Sequence, residues 1–197
     1  MNSVKEVIKY RGREISMCYD TDPECPNDWG NDYAFLVSYN RREFCTIPDG
    51  WENRHDALCE CDGFYRGYYV FPVSIYSHSG VALCMGNRGG WDFSNGWAFA
   101  LVKRDKGSWT REAACKVALS VIEEWNDYLS GNVYGYIAGD NSCWGYYGDE
   151  GYKCAIEDAK ACIDYVIKCE QVDFIARKKV ELRNRIPMQY RSVWNFA

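Results

Sequence analysis

The sequence predicts an α+β fold: a single domain on a largely antiparallel sheet, with two long helices packed on one face. The chain has 197 residues, 47% of them hydrophobic, which is enough for one ordinary core. Short β-branched and aromatic runs, broken by turn signals, fill the first half. Two stretches of the second half repeat apolar residues every three or four positions. Strands followed by helices in one chain fit helices laid against an antiparallel sheet. The 16 Tyr and 8 Trp suit aromatic cross-strand pairs.

The elements follow in order. Glu6-Val7-Ile8-Lys9-Tyr10 and Arg13-Glu14-Ile15-Ser16-Met17 flank an Arg-Gly turn and read as an opening hairpin. An acidic loop follows, and then the β-rich run 33–39. Residues 40–66 are polar, broken by Pro48-Asp49-Gly50, with a short helix over Arg54–Cys61. A strand over 68–76 contains Pro72, which places it at an edge or a bulge. Gly86-Asn87-Arg88-Gly89-Gly90 reads as a loop, because a phosphate-binding loop needs a Lys-Ser or Lys-Thr opening a helix. The next strand is 97–103, with Trp97, Phe99 and Leu101 on one face.

The clearest helix is 110–129, where Ala114, Val117, Ala118, Val121, Ile122, Trp125 and Leu129 form a stripe. Ser108 or Thr110 caps it, and Gly131 ends it. Strands 132–138 and 142–147 make a hairpin across Gly139-Asp140-Asn141. A last helix spans 153–185, with Ala155, Ala159, Cys162, Ile163, Val166 and Ile167 as its stripe, and Pro187 stops it. Beyond Cys169 the stripe thins and positive charge rises. The chain therefore divides into a core, 1–170, and a basic, aromatic extension, 171–197, that continues the last helix.

The start, MNSVKEVIKYRGRE, is charged and has no hydrophobic segment, and no apolar run is long enough for a bilayer. A cytoplasmic protein with no membrane partner is expected. Eleven cysteines then read as reduced thiols, mostly small core fillers such as Cys115 and Cys162. Cys59-Glu60-Cys61 lacks the paired Cys-x2-Cys spacing of structural zinc. The formal net charge is −5; residues 171–197 carry +4, which leaves −9 for the body. An acidic body argues against nonspecific DNA coating and suits docking on a basic, nucleic-acid-binding partner.

The loop DTDPECPNDWGND, residues 20–32, admits three readings. It is a solvated turn, an acidic contact surface, or a metal loop with Asp20, Asp22 and Asp28 as oxygen ligands for calcium or magnesium. It is no EF-hand, because Cys25 and Asn31 stand where that motif needs Gly and Glu. No other cofactor is expected. His78, between two serines, reads as a structural histidine at a strand end; a Cys84–His78 nucleophile pair is the catalytic alternative. His55, beside Asp56, reads as exposed. Arg41-Arg42, Arg88 and Lys103-Arg104 make a basic patch only if the fold gathers them.

Four blocks, DTDPECPNDWGNDYAFLVSYNRREF, FPVSIYSHSG, WDFSNGWAFALVKRDK and YLSGNVYGYIAGDNSCWGYYGDEGY, together resemble a family of small phage and prophage proteins. The likeness covers roughly residues 18–165 and departs at Trp29-Gly30, where the family pattern has Trp-Asp. It implies phage origin and a role in the bacterial host's cytoplasm. By association, it implies an inhibitor of a host defence nuclease of the anti-CRISPR type. On that reading the protein is no enzyme, and its partner is a CRISPR effector or that effector's nucleic-acid complex. The contacts are then Asp20, Asp22, Glu24 and Asp28 at one end and Arg183, Arg185, Tyr190, Arg191 and Trp194 at the other. The alternative is a small divalent-metal protein, hydrolase or transferase built on the 20–32 loop and His78. Oligomeric state stays open.

Overall fold

The computed structural model describes residues 3–104 and 110–190. Strands β1 (Val4–Tyr10) and β2 (Arg13–Tyr19) form the opening hairpin, followed by a single 3-10 turn, Pro26–Trp29. Then come β3 (Ala34–Asn40), β4 (Phe44–Thr46), helix α1 (His55–Glu60), β5 (Phe64–Tyr65), β6 (Tyr68–Ser77), β7 (Val81–Met85) and β8 (Phe93–Lys103). Helix α2 (Arg111–Ser130), β9 (Val133–Ala138), β10 (Asn141–Tyr147) and α3 (Gly148–Arg185) complete the fold. The class is α+β, as the sequence predicts.

The strands pair into two antiparallel sheets. One has the order β1-β2-β9-β10; the other has β4-β3-β8-β6-β5, with β7 also on β6. Each long helix therefore has a sheet of its own, where the sequence pointed to one shared face. Helix α2 buries Ala114, Ala118, Val121, Ile122 and Trp125 against Leu36, Val73, Ala98 and Ala100 of the six-stranded sheet. Helix α3 buries Ala155, Ala159 and Ile163 against Ile15, Met17 and Tyr136 of the four-stranded sheet. Small residues line α3 on that side, so its backbone lies close to the strands.

The six-stranded sheet is covered on both faces. In β3, Ala34 and Leu36 face α2, while Phe35 and Val37 face a third cluster with Leu58 of α1, Val70, Phe99 and Leu101. This follows from the two-residue period of a strand and explains why 33–39 reads as a continuous apolar run. Phe99 and Leu101 share a face as expected, but Trp97 is 45% exposed.

The sequence reading missed β4, β5 and β7, which are short, and the start of β8. It also started α3 five residues late. The Pro72 bulge is present: the β6–β8 register shifts between Pro72 and Ile75. Thr110 Oγ1 accepts the Ala113 amide as N-cap, and Gly131 ends α2 at φ 73°, a left-handed turn that glycine adopts without strain. Ser108 lies outside the described residues. Only Cys18 of the eleven unpaired thiols is buried; Cys45, Cys59, Cys143, Cys154 and Cys169 are exposed, so core filling does not account for most of them.

Two asparagines close strand edges. Strand β7 is an edge, and Asn126 of α2 reaches it: the Leu83 amide donates to Asn126 Oδ1 at 2.8 Å, and Asn126 Nδ2 donates to the Leu83 carbonyl at 3.0 Å. The side-chain amide thus acts as one peptide unit of a further strand.

Trp125 is 2% exposed and packs edge-on to Phe44 at 5.2 Å, whereas Leu119 on the same helix is 43% exposed. Trp125→Ala is expected to cost about 3–5 kcal/mol in urea denaturation, and Leu119→Ala less than about 0.5 kcal/mol.

Candidate binding cleft and neighbouring side chains

The acidic loop is held by Asn27. Its Nδ2 donates to the Leu36 carbonyl at 2.9 Å and to Thr46 Oγ1 at 2.8 Å, and its Oδ1 accepts the Leu36 amide at 3.4 Å. Strand β4 ends at Thr46, opposite Ser38, and so leaves Leu36 without a strand partner on that side. Asn27 takes that place. At the other end of the loop, the Tyr147 hydroxyl donates to the Glu24 carbonyl, and the Trp29 ring stands edge-on to Tyr147 at 4.8 Å.

This anchoring opens a cleft of about 500 Å³ between the 25–32 loop and the 46–51 loop. Asp28, Asp32 and Asp49 line it, and all three are exposed. Phe35, Trp51 and Tyr68 line it too, each pair edge-on with ring centroids 5.5 Å apart. The Tyr68 hydroxyl donates to the Asp32 carbonyl at 3.2 Å, tying the aromatic wall to the acidic rim. Carboxylates beside ring faces and edges make a site for an organic cation.

The residues singled out in the sequence are not one cluster. Asp28 is in the cleft. Asp20 is at the end of β2, where its amide bonds the Val133 carbonyl at 2.8 Å and its Oδ1 accepts the Asp22 amide at 3.1 Å. Among the described residues no group of three His, Cys, Asp or Glu side chains is placed to hold a metal ion, so Asp20, Asp22 and Asp28 do not converge as ligands. Asp20 spends its carboxylate on a local turn. Arg183 and Arg185 are exposed on the far part of α3, and Tyr190 is 54% exposed in a 3-10 turn, Met188–Tyr190. Arg191 and Trp194 lie outside the described residues.

His78 lies at a strand end, as the sequence reads, but the alternative Cys84–His78 pair does not form. Cys84 pairs with Ser74 and Val81 with Ser77, so His78, past the end of β6, is about four residues, roughly 13 Å, along the strand from Cys84. His78 Nδ1 instead stands 3.4 Å from Asp92, and its ring meets Trp91 edge-on. His55 is not exposed but half-buried, stacked on Trp97 at 4.8 Å.

Beside His55 is a Cys–His pair the sequence reading missed, though its spacing of four on α1 was the available signal. Cys59 Sγ is 3.6 Å from His55 Nε2, and Asp56 Oδ1 is 3.1 Å from Nδ1. The arrangement looks like a nucleophile with its base, but its bonding is wrong for that. Nε2 faces the Gly96 carbonyl at 2.9 Å, and Cys59 Sγ is 3.4 Å from the same oxygen. A carbonyl only accepts, so the ring nitrogen and the thiol both turn toward the Gly96 oxygen and compete for it. Burial first, then the charges of Asp56, Cys61 and Glu60, pushes the Cys59 thiol up, away from the reactive thiolate.

No single basic patch forms from the arginine pairs. Arg41-Arg42 follow the C-terminal end of β3, while the Lys103 amide bonds the Tyr33 carbonyl at the other end, about 23 Å along the strand. The Gly86–Gly90 segment is a loop pinned by Ser74 and Asn95, both bonded to the Arg88 amide. No helix among the described residues is long and apolar enough to cross a membrane. No known protein family, curated protein or solved structure matches the chain.

Asn27→Ala leaves the Leu36 amide and carbonyl without this partner, and about 1–3 kcal/mol of stability is expected to be lost in chemical denaturation. Burial, and then Asp20, pushes the Tyr147 phenol up to about 12 from its usual 10.0. A phenol whose value is raised on folding stabilises fully below 10 and loses that contribution as pH rises through 12. Stability is therefore expected to fall between pH 10 and 12, with a shallower slope in Tyr147→Phe, measured by urea melts across that range.

Proposed function

We propose that this protein is a binding protein rather than an enzyme: a phage-encoded inhibitor that blocks a host defence nuclease, of the RNA-guided type, by docking on it. The cleft carries this reading. Three exposed carboxylates, Asp28, Asp32 and Asp49, rim a wall made of Phe35, Trp51 and Tyr68. An arginine side chain matches both parts, because its guanidinium stacks on rings and bonds carboxylates through two N–H groups. RNA-guided nucleases hold their heteroduplex in a positively charged channel, so they offer such side chains in number. The net charge of −5 adds long-range steering toward a basic surface. The resemblance of the four sequence blocks to small phage proteins supports the phage origin and the host cytoplasm as the place of action.

Cleavage assays with a panel of RNA-guided nucleases and restriction enzymes test the reading. At least one RNA-guided enzyme is expected to be blocked at stoichiometric protein. The triple variant Asp28→Lys/Asp32→Lys/Asp49→Lys is expected to weaken the block by about tenfold per reversed charge. All three positions are exposed, so their reversal leaves the core packing alone. Unhindered cleavage across the panel overturns the inhibitor reading. A block untouched by the triple variant overturns the cleft as its contact surface.

A further inference from the structure

Helix α3 is 38 residues long, but its sheet supports only the first part. Lys168–Arg185, about 27 Å of helix, are all exposed. Its last ion pair to the sheet is Arg13–Glu170 at 2.5 Å. Val172, Ile175 and Leu182 beyond it are 59%, 54% and 50% exposed.

These apolar residues do not continue the core face. That face runs through Ala155, Ala159 and Ile163, and Val172 lies nine residues past Ile163, about two and a half turns, on the opposite side. Following the core face outward reaches Glu170, Phe174, Arg177 and Glu181 instead. The outer stripe has its own rhythm: Val172, Ile175, Lys179 and Leu182 are spaced three, four and three, and Ile186 follows four residues on, just past the helix end. That three-four spacing is the rhythm of a coiled-coil seam.

We infer that this outer face of α3 is a second binding surface, and that its occupant is an acidic amphipathic helix of another protein. The flanks of the seam decide the occupant. Lys178, Arg183 and Arg185 stand beside it, and no acid does; Glu181 lies away from the seam, paired to Lys178 and Arg185 at 2.7 and 2.6 Å. A second copy of this chain would meet like charges. In a parallel pair Lys178 faces Arg183 and Lys179 faces Lys179; in an antiparallel pair the basic flanks face themselves. A helix with Asp or Glu on its flanks meets the opposite sign. A nucleic acid satisfies the charges but offers nothing to Val172, Ile175 and Leu182. The surface is separate from the acidic cleft, and the inference does not depend on the inhibitor reading.

The test uses the full chain and two synthetic helical peptides with Leu at the seam positions, one with Glu flanks and one with Lys flanks. By fluorescence anisotropy the Glu peptide is expected to bind, more weakly as salt rises, and the Lys peptide not to bind. Ile175→Ala/Leu182→Ala, which keeps helix propensity, is expected to weaken the Glu peptide by about a hundredfold, with far-UV circular dichroism unchanged. The Asp28→Lys/Asp32→Lys/Asp49→Lys variant is expected to bind the Glu peptide as the parent does, which separates this surface from the cleft. Equal binding of both peptides, or no binding of either, overturns the inference. So does a dimer in light scattering that the alanine pair dissolves, or competition by a single-stranded RNA oligonucleotide at the affinity of the Glu peptide. Binding by a chain ending at Tyr190 but not by the full chain also overturns it, since the occupant is then the chain's own terminal segment.

Discussion

The amide of Asn27 determines where the acidic segment lies. A strand in the middle of a sheet must bond both of its edges, and β4 is too short to serve Leu36. Asn27 supplies the missing donor and acceptor from a loop, and so fixes the acidic segment across the sheet. The cleft, its rim of carboxylates and its ring wall all follow from that attachment. Asn126 does the same for Leu83 on the far edge, and there it locks α2 onto β7.

Much of the aromatic content serves the same closure. Lys5 sits over Tyr134 and Tyr152, 4.2 and 4.3 Å from their ring centroids, and Tyr152 donates to Glu6 at 2.6 Å. The first strand is thereby tied to the last helix through rings as well as through Ile8 and Tyr10, which pack on the core below α3. The Val-Tyr-Gly-Tyr and Ser-Cys-Trp-Gly stretches are one device: the Trp144 indole lies where a side chain at position 135 would be, so only glycine fits there. These two sequence blocks thus have a plain structural job.

The two halves of α3 differ in what they touch: the first packs on a sheet and the second is exposed. Small residues on the inner face let it lie close on the four-stranded sheet. Past Glu170, Val172, Ile175 and Leu182 lie between about a quarter and half a turn around the axis from Ile163 and face solvent. Burying them against the same sheet would need the helix to rotate about its axis, which would expose Ile163. The inner stripe is met by the four-stranded sheet, and the outer residues Val172, Ile175 and Leu182 are exposed.

The sequence alone determined the elements whose signal is local. The stripe of α2, its Thr110 cap and its Gly131 stop, the opening hairpin and the bulge at Pro72 depend on neighbours within a few residues, so backbone preference and periodicity reveal them. The short strands β4, β5 and β7 carry too few residues for any period, and only pairing makes them strands. Tertiary structure alone decided the sites. Asp28 and Asp32 stand near each other in the chain, but Asp49, Phe35, Trp51 and Tyr68 come from other segments, and no spacing reports that they share a cleft. His78 and Cys84 are near in sequence but apart in space, because a strand carries them away at about 3.3 Å per residue. His55 and Cys59 meet because a helix turns them onto one face, yet the Gly96 carbonyl, from a distant strand, is the acceptor both of them face. Distance along the chain is a poor guide once strands pair, and chemistry depends on distance through space.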